Sequence, residues 1–160
     1  MNKQPFIIRT SKLKQIGFVL FTGLLIAYYF VGPYEETRIM YKESPRFTIV
    51  MGFVFITLFI YFLDGLIKRK AEITLSSDGI ELRNKGFFNW DMISGYSTIY
   101  YDDENRSTEL IINFKEYADL NFEITYLEYD AEEIGDLIAQ YKGNANILYL
   151  GHTTKMKFFR

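Results

Sequence analysis

The 160-residue chain holds a single histidine, His152, and no cysteine. Imidazole and thiolate are the usual ligands of structural zinc and of iron–sulfur clusters, so centres built on them are excluded. His152 also stands in a C-terminal tail with no aspartate close by in sequence, which gives no start to a nucleophilic triad. The glycines never fall in the order G-x-G-x-x-G or G-x-x-x-x-G-K-S/T, so no phosphate-cradling loop is expected. The densest carboxylate cluster is Asp102-Asp103-Glu104, followed by Asn105 and Arg106. Glycoside chemistry needs two carboxylates facing each other across a cleft. A calcium loop needs them in D-x-D/N-x-D/N-G order. Consecutive acids meet neither condition and read as a solvated hairpin tip. Asp64 follows an apolar run, but Lys68 lies four residues on as an ion-pair partner. One peripheral carboxylate makes no polar path for a transported proton. No catalytic, cofactor-binding or metal-binding residue is therefore expected, and the chain reads as no enzyme.

The composition explains where such chemistry would have to sit. Hydrophobic residues make up 49% of the chain and aromatic ones 18%, with 11 Gly and 3 Pro. That balance excludes collagen-like and disordered classes. The charge is divided unevenly. Residues 1–70 carry ten Lys/Arg against four Asp/Glu, whereas residues 71–160 carry eight against sixteen. An acidic second half repels phosphate backbones, so no nucleic-acid partner is expected. Arg83 and Lys85 are too few to build a phosphoinositide pocket, and binding of that headgroup is not expected either.

The first half is a membrane anchor by pattern. No charge interrupts the stretch between Lys14 and Glu35, and Phe47 to Leu63 is a second uncharged run. About 20 apolar residues span a bilayer core as a helix. Both runs are apolar around most of the helix circumference, unlike the striped helices of a soluble core. The reading places transmembrane helices at about residues 15–34 and 47–67 within an anchor of residues 1–70. The first run ends in Tyr28-Tyr29-Phe30-Val31 without the small residues of a cleavage site, so it is read as retained. Seven basic residues flank the outer ends of the pair (Lys3, Arg9, Lys12, Lys14, Lys68, Arg69, Lys70) against Arg38, Lys42 and Arg46 in the connection. This asymmetry predicts both termini in the cytoplasm of a multi-pass inner-membrane protein. Gly23 and Ala27 form a small-xxx-small spacing suited to close packing inside the helical hairpin.

From residue 71 the pattern changes to alternation. Glu72 to Ser76 and Ile80 to Arg83 alternate around the turn Ser77-Asp78-Gly79, and Asn84-Lys85-Gly86 supplies a second turn. Further strands are expected at 87–90, 96–101, 110–114 and 120–126. A helix follows, with Asp130 and Glu133 in capping-box spacing and Ile134, Leu137, Ile138 and Tyr141 on one face. The expected core is Ile73, Leu75, Ile80, Leu82, Trp90, Leu110, Ile112, Phe122, Ile124, Ile134, Leu137 and Ile138. Trp90 is expected inside, with its indole N–H bonded to backbone. The domain covers residues 71–143. A tail, 144–160, reads as an edge strand with a frayed end, or as a basic aromatic segment (Lys155, Lys157, Phe158, Phe159, Arg160) that touches lipid.

Two apolar spans followed by S-S-D-G-I-E-L at 76–82 and G-F-F-N-W-D-M-I at 86–93 resemble bacterial membrane proteins with a pleckstrin-homology-like cytoplasmic domain. The resemblance covers roughly residues 12–142. It implies an antiparallel β-sandwich or barrel of six to seven strands closed by one C-terminal amphipathic helix, held at the membrane, and implies no reaction. The function expected is that of a non-enzymatic inner-membrane scaffold or protein-interaction module. The alternatives are a membrane-embedded immunity protein that neutralises a bacterial toxin, and an accessory subunit of a transporter. The partners expected are the lipid bilayer, through the helices, and an unidentified protein.

Overall fold

The computed structural model describes residues 4–31, 39, 42–102 and 106–155. The chain divides into two compact units, one of residues 12–70 and one that joins residues 1–11 to 71–160.

The first unit is a helical hairpin. Helix α1 runs Lys12–Val31 and helix α2 runs Pro45–Lys68. Pro45 opens α2, where its fixed φ suits the helix and its missing N–H would have had no partner. The helix stops at Arg69, which turns into the left-handed region (φ 31°) and donates its N–H to the Gly65 carbonyl at 3.1 Å. Both helices are long and apolar enough to cross a membrane, and only 6% of each apolar window is buried within the protein. The two pack through small residues and rings. Gly52 is buried and faces the Tyr29 and Phe30 rings, while Gly23 faces Phe59. Phe18 stacks on Phe62 with centroids 5.1 Å apart, and the Tyr29 hydroxyl donates to the Thr48 carbonyl at 2.6 Å. Asp64 and Lys68 form the expected i, i+4 ion pair, at 2.7 Å. The expected first span reached residue 34, and its last three residues lie outside the described ones.

The second unit is α+β, with two four-stranded sheets and one helix. Sheet one has the order β1-β2-β3-β4, formed by Phe6–Arg9, Ala71–Leu75, Gly79–Leu82 and Gly86–Asn89, all antiparallel. A 3-10 turn at Trp90–Met92 leads into β5 (Ile93–Tyr101), followed by β6 (Thr108–Phe114) and β7 (Leu120–Glu123). Helix α3 spans Ala131–Tyr141, and β8 (Leu148–Lys155) completes sheet two in the order β7-β6-β5-β8. The last pairing, β8 on β5, is parallel.

Of the sandwich and barrel expected, no closed barrel is formed: the strands make two separate sheets. β8 is the edge strand expected of the tail, although its pairing is parallel where an antiparallel plan was expected. The strand not expected is β1, which brings the number among the described residues to eight. Its residues Phe6-Ile7-Ile8-Arg9 pair with Leu75 to Ala71, on the far side of the hairpin in sequence. The range 1–70 assigned to the anchor thus contains an edge strand of the β unit, and the hairpin is an insertion between two neighbouring strands.

The core holds Ile8, Ile73, Leu75, Ile80, Leu82, Trp90, Ile93, Tyr96, Leu110, Ile112, Ile124, Leu127, Ile134, Ile138 and Ile147. Ten of the twelve expected core residues are fully buried there, and Phe122 and Leu137 pack against it half-buried. The Trp90 indole N–H donates to the Ser76 carbonyl at 3.0 Å, which fixes the 3-10 turn beneath the β2–β3 turn. Gly79 is required there, because a Cβ would collide with the Phe88 carbonyl oxygen. At α3 the full capping box forms: the Glu133 N–H donates to Asp130 and the Asp130 N–H donates to Glu133, both at 2.9 Å.

Candidate functional site

Among the described residues, each chemically capable side chain singled out in the sequence has a structural partner or lies apart from the others. His152 sits on β8 opposite Thr98 of β5, and its Nδ1 shares a hydrogen bond of 2.9 Å with the Thr98 hydroxyl. Thr98 is fully buried, so this contact ties the edge strand to its neighbour. Asp102 begins the β5–β6 connection, and its backbone N–H donates to the Lys155 carbonyl at 3.0 Å. Asp103 and Glu104 lie outside the described residues, as do Lys157, Phe158, Phe159 and Arg160. Among the described residues no group of three or more His, Asp or Glu side chains converges as a metal site would require.

Arg83 follows β3 directly and is ion-paired with Glu72, the second residue of β2. The pair borders an open depression of about 420 Å³ lined by Ala71, Thr74, Glu81, Asn84 and Gly86 among others. Lys85 lies in the adjoining turn, where Asn84 takes up the left-handed conformation (φ 61°). Asn tolerates that conformation better than most residues. The Arg83 guanidinium there is already engaged by the Glu72 carboxylate.

The buried polar group with the largest perturbation is Tyr96, which the sequence places on a strand but not in the expected core. Its hydroxyl donates to the Gly135 carbonyl of α3 at 3.0 Å, and its ring stacks on Tyr149 of β8 at 5.0 Å. Burial pushes the Tyr96 phenol up to about 12, with smaller contributions from Tyr149 and Asp136. Such a phenol stays protonated at neutral pH and is no general base there. It joins helix to sheet. The alternation Ile93, Gly95, Tyr96, Thr98 is broken by a bulge near Gly95, which disguised its inward direction.

What the topology does gather is charge at the strand ends. One end of the β unit holds Arg9 and Ala71, where the chain leaves for α1 and returns from α2. The β3–β4 turn, the β5–β6 connection, the end of β7 and the end of β8 are at that same end. The links are the Arg83 N–H on the Glu72 carbonyl, the Tyr101 N–H on Ser107, the Ile124 N–H on Thr108 and the Ser11 N–H on Tyr126. The cations Arg83, Lys85, Arg106 and Lys155 therefore lie at the hairpin-bearing end together with the carboxylates Glu72, Asp102, Glu109, Glu123 and Glu128. The opposite end holds the turns at 76–78, 90–92 and 115–119, with Asp78, Asp91, Glu116 and Asp119 against Lys115.

No family model matches the chain, and no curated protein or solved structure matches it.

Proposed function

We propose that the chain is a non-enzymatic membrane-anchored interaction module of the inner membrane, whose two helices hold a pleckstrin-homology-like unit on the cytoplasmic side. The observation that carries the reading is the outward face of the hairpin. Leu20, Leu24 and Phe53 are 63%, 69% and 72% exposed. That pattern is suited to lipid and costly in water. A hairpin inserted between two paired strands also leaves and re-enters the β unit at one end, which suits two spans with both flanks on one side. The basic excess of those flanks supports the cytoplasm as that side.

The pleckstrin-homology-like reading is supported by four antiparallel strands, then three more, then a capped amphipathic helix, in that chain order. The parallel β8 is an addition to that plan. Fold alone does not give a ligand. The recognition role is left to protein surfaces such as the outer edge of β8, where a peptide could add as a strand.

In-cell crosslinking with mass spectrometry tests the proposal, with the full chain and a 12–70 hairpin as parallel baits. Partners captured by the full chain and absent from the hairpin are the expected result. Identical partner sets would remove the β unit as the recognition element. Orientation is checked separately with Met40→Cys and Asn105→Cys, since the chain has no cysteine of its own. Position 40 is expected to label from outside the cell and position 105 only after permeabilisation.

A further inference from the structure

We infer that β8 is an exchangeable strand, and that the groove between β5 and α3 accepts it from a second copy of this chain to give a strand-swapped pair.

The groove fits this particular strand. Along β5 the residues Ile93, Gly95, Tyr96, Thr98 and Ile99 are buried. Two glycines make room beside them. At Gly95 a Cβ would stand 3.1 Å from the Leu148 carbonyl oxygen, closer than a side chain comfortably sits. At Gly135 of α3 a Cβ would stand 3.4 Å from the Tyr149 hydroxyl, so the ring of Tyr149 rests directly on the helix backbone. Glycine is unfavourable inside a helix or a strand, and in a strand it marks the close approach of another backbone. The Tyr149 ring also stacks on Tyr96, and His152 Nδ1 shares a hydrogen bond with the buried Thr98 hydroxyl. These contacts select Leu148-Tyr149-Leu150-Gly151-His152, and a second copy supplies that sequence unchanged.

β8 is also separable from the rest of the β unit. Among the described strands it pairs with β5 alone, so its departure leaves β7-β6-β5 and the whole of sheet one in place. Helix α3 keeps its seat through Ile134 and Ile138 in the core. Of the eight residues of β8 only Gly151 is even half-buried, and Leu148, Tyr149 and Leu150 expose 63%, 45% and 56% of their surface. Little apolar surface therefore meets water during an exchange. Ile147, which precedes β8, is the one core residue that must travel with it. The connection 142–147 is folded on itself by two local bonds, from the Ala145 N–H to the Lys142 carbonyl at 3.1 Å and from the Ile147 N–H to the Ala145 carbonyl at 2.9 Å. Opened out, it would reach about 20 Å. A swap keeps every contact that β8 makes in the closed chain and changes mainly this connection, which is why exchange of an end element is a low-cost route to a dimer. The outer edge of β8 stays open in both forms.

The experiment uses two differently tagged full chains co-expressed in one membrane, one with Tyr100→Cys and the other with Thr154→Cys. The chain has no other cysteine. Tyr100 and Thr154 are partners across the β5–β8 pair, and adjacent strands lie about 4.8 Å apart, a spacing that a disulfide bridges. Mild oxidation of isolated membranes should link the two tags roughly tenfold more than it links Glu116→Cys with Thr154→Cys, whose positions no strand pairing brings together. Adding Tyr149→Ala and His152→Ala to the Thr154→Cys chain should bring the linking down to that of the control. A single chain with both Tyr100→Cys and Thr154→Cys reports the closed form as an internal disulfide. An internal disulfide in that chain with no mixed linking above the control would show that β8 stays with its own copy, and would overturn the inference. Mixed linking that survives the loss of Tyr149 and His152 would be collision rather than seating in the groove, and would overturn it too. Absence of both disulfides would remove the β5–β8 pairing on which the exchange depends.

Discussion

In the hairpin, Leu20, Phe21 and Leu24 expose 61–69% of their surface, whereas Leu75, Leu82 and Leu110 of the β unit expose at most 1%. The residue types are nearly the same. What differs is the period and what surrounds it. On α1 and α2 apolar residues cover most of the circumference, and the helices spend only small residues and a few rings on each other, at Gly23, Gly52 and Phe18–Phe62. In the β unit apolar residues alternate, so one face of each sheet and one face of α3 close on a shared core. The comparison teaches that leucine content says little about burial, while its spacing says a great deal.

The largest expected effect breaks this comparison most directly. Leu110→Ala should destabilise the β unit by about 2–5 kcal/mol, because the cavity opens in a core with few ways to collapse. Leu20→Ala should leave the stability of the detergent-purified protein within about 0.5 kcal/mol of the parent, as for an exposed position. Denaturant titration reads the first by Trp90 fluorescence and the second by the helical circular-dichroism signal. Similar losses at the two positions would mean that the hairpin buries its outer face against protein rather than lipid.

Next in size is a charge on the lipid-facing surface. Leu24→Arg at the centre of α1 should raise the apparent cost of insertion by about 2.5–3.5 kcal/mol and lower the membrane-integrated fraction. An arginine at exposed Glu116 of the β unit should leave that fraction unchanged. Carbonate extraction of membranes separates integrated from peripheral protein and reads the difference.

How much of this was legible in the sequence follows the same division. Local signals were enough for α3, where Asp130 and Glu133 announce the capping box, and for β2 and β3, where alternation brackets the turn at Asp78-Gly79. They were enough for the hairpin, whose uncharged runs need no tertiary information. They failed for β1, because Phe6-Ile7-Ile8-Arg9 is four residues long and its partner lies more than sixty residues away. With Lys3, Lys12 and Lys14 around it, the segment read as a basic flank. They gave β8 as an edge strand but not its parallel partner, since pairing direction depends on how α3 returns the chain. The candidate site divides likewise. Charge totals were visible, but the distribution of Lys85, Arg106 and Lys155 to one end follows only from strand direction.

The capping box supplies a smaller test within the β unit. Asp130→Ala removes the acceptor for the Glu133 N–H. It should cost about 1 kcal/mol. The hairpin offers a matched control, because Ser44 precedes α2 without a side-chain capping bond. Ser44→Ala should therefore shift thermal unfolding by much less. Equal shifts would show that the helix start, rather than the capping bond, sets the cost.

The smallest effect at neutral pH belongs to the helix–sheet tie at Tyr96. Tyr96→Phe deletes the bond to the Gly135 carbonyl while leaving the ring in place. The lost hydrogen bond should cost about 1 kcal/mol or somewhat less. Its larger consequence is confined to alkaline solution. Burial raises the folded-state phenol from its ordinary 10.0 to about 12, so the folded protein keeps a proton that the unfolded chain releases above pH 10. Proton release then favours unfolding. Stability from this group is fully present below pH 10 and is lost as pH climbs from about 10 to about 12. The Tyr96→Phe chain lacks this titration, and its stability should fall less steeply across that window. A parent and a Tyr96→Phe chain with parallel alkaline profiles would mean that the phenol is not held protonated by burial, and the helix–sheet tie would lose its main support.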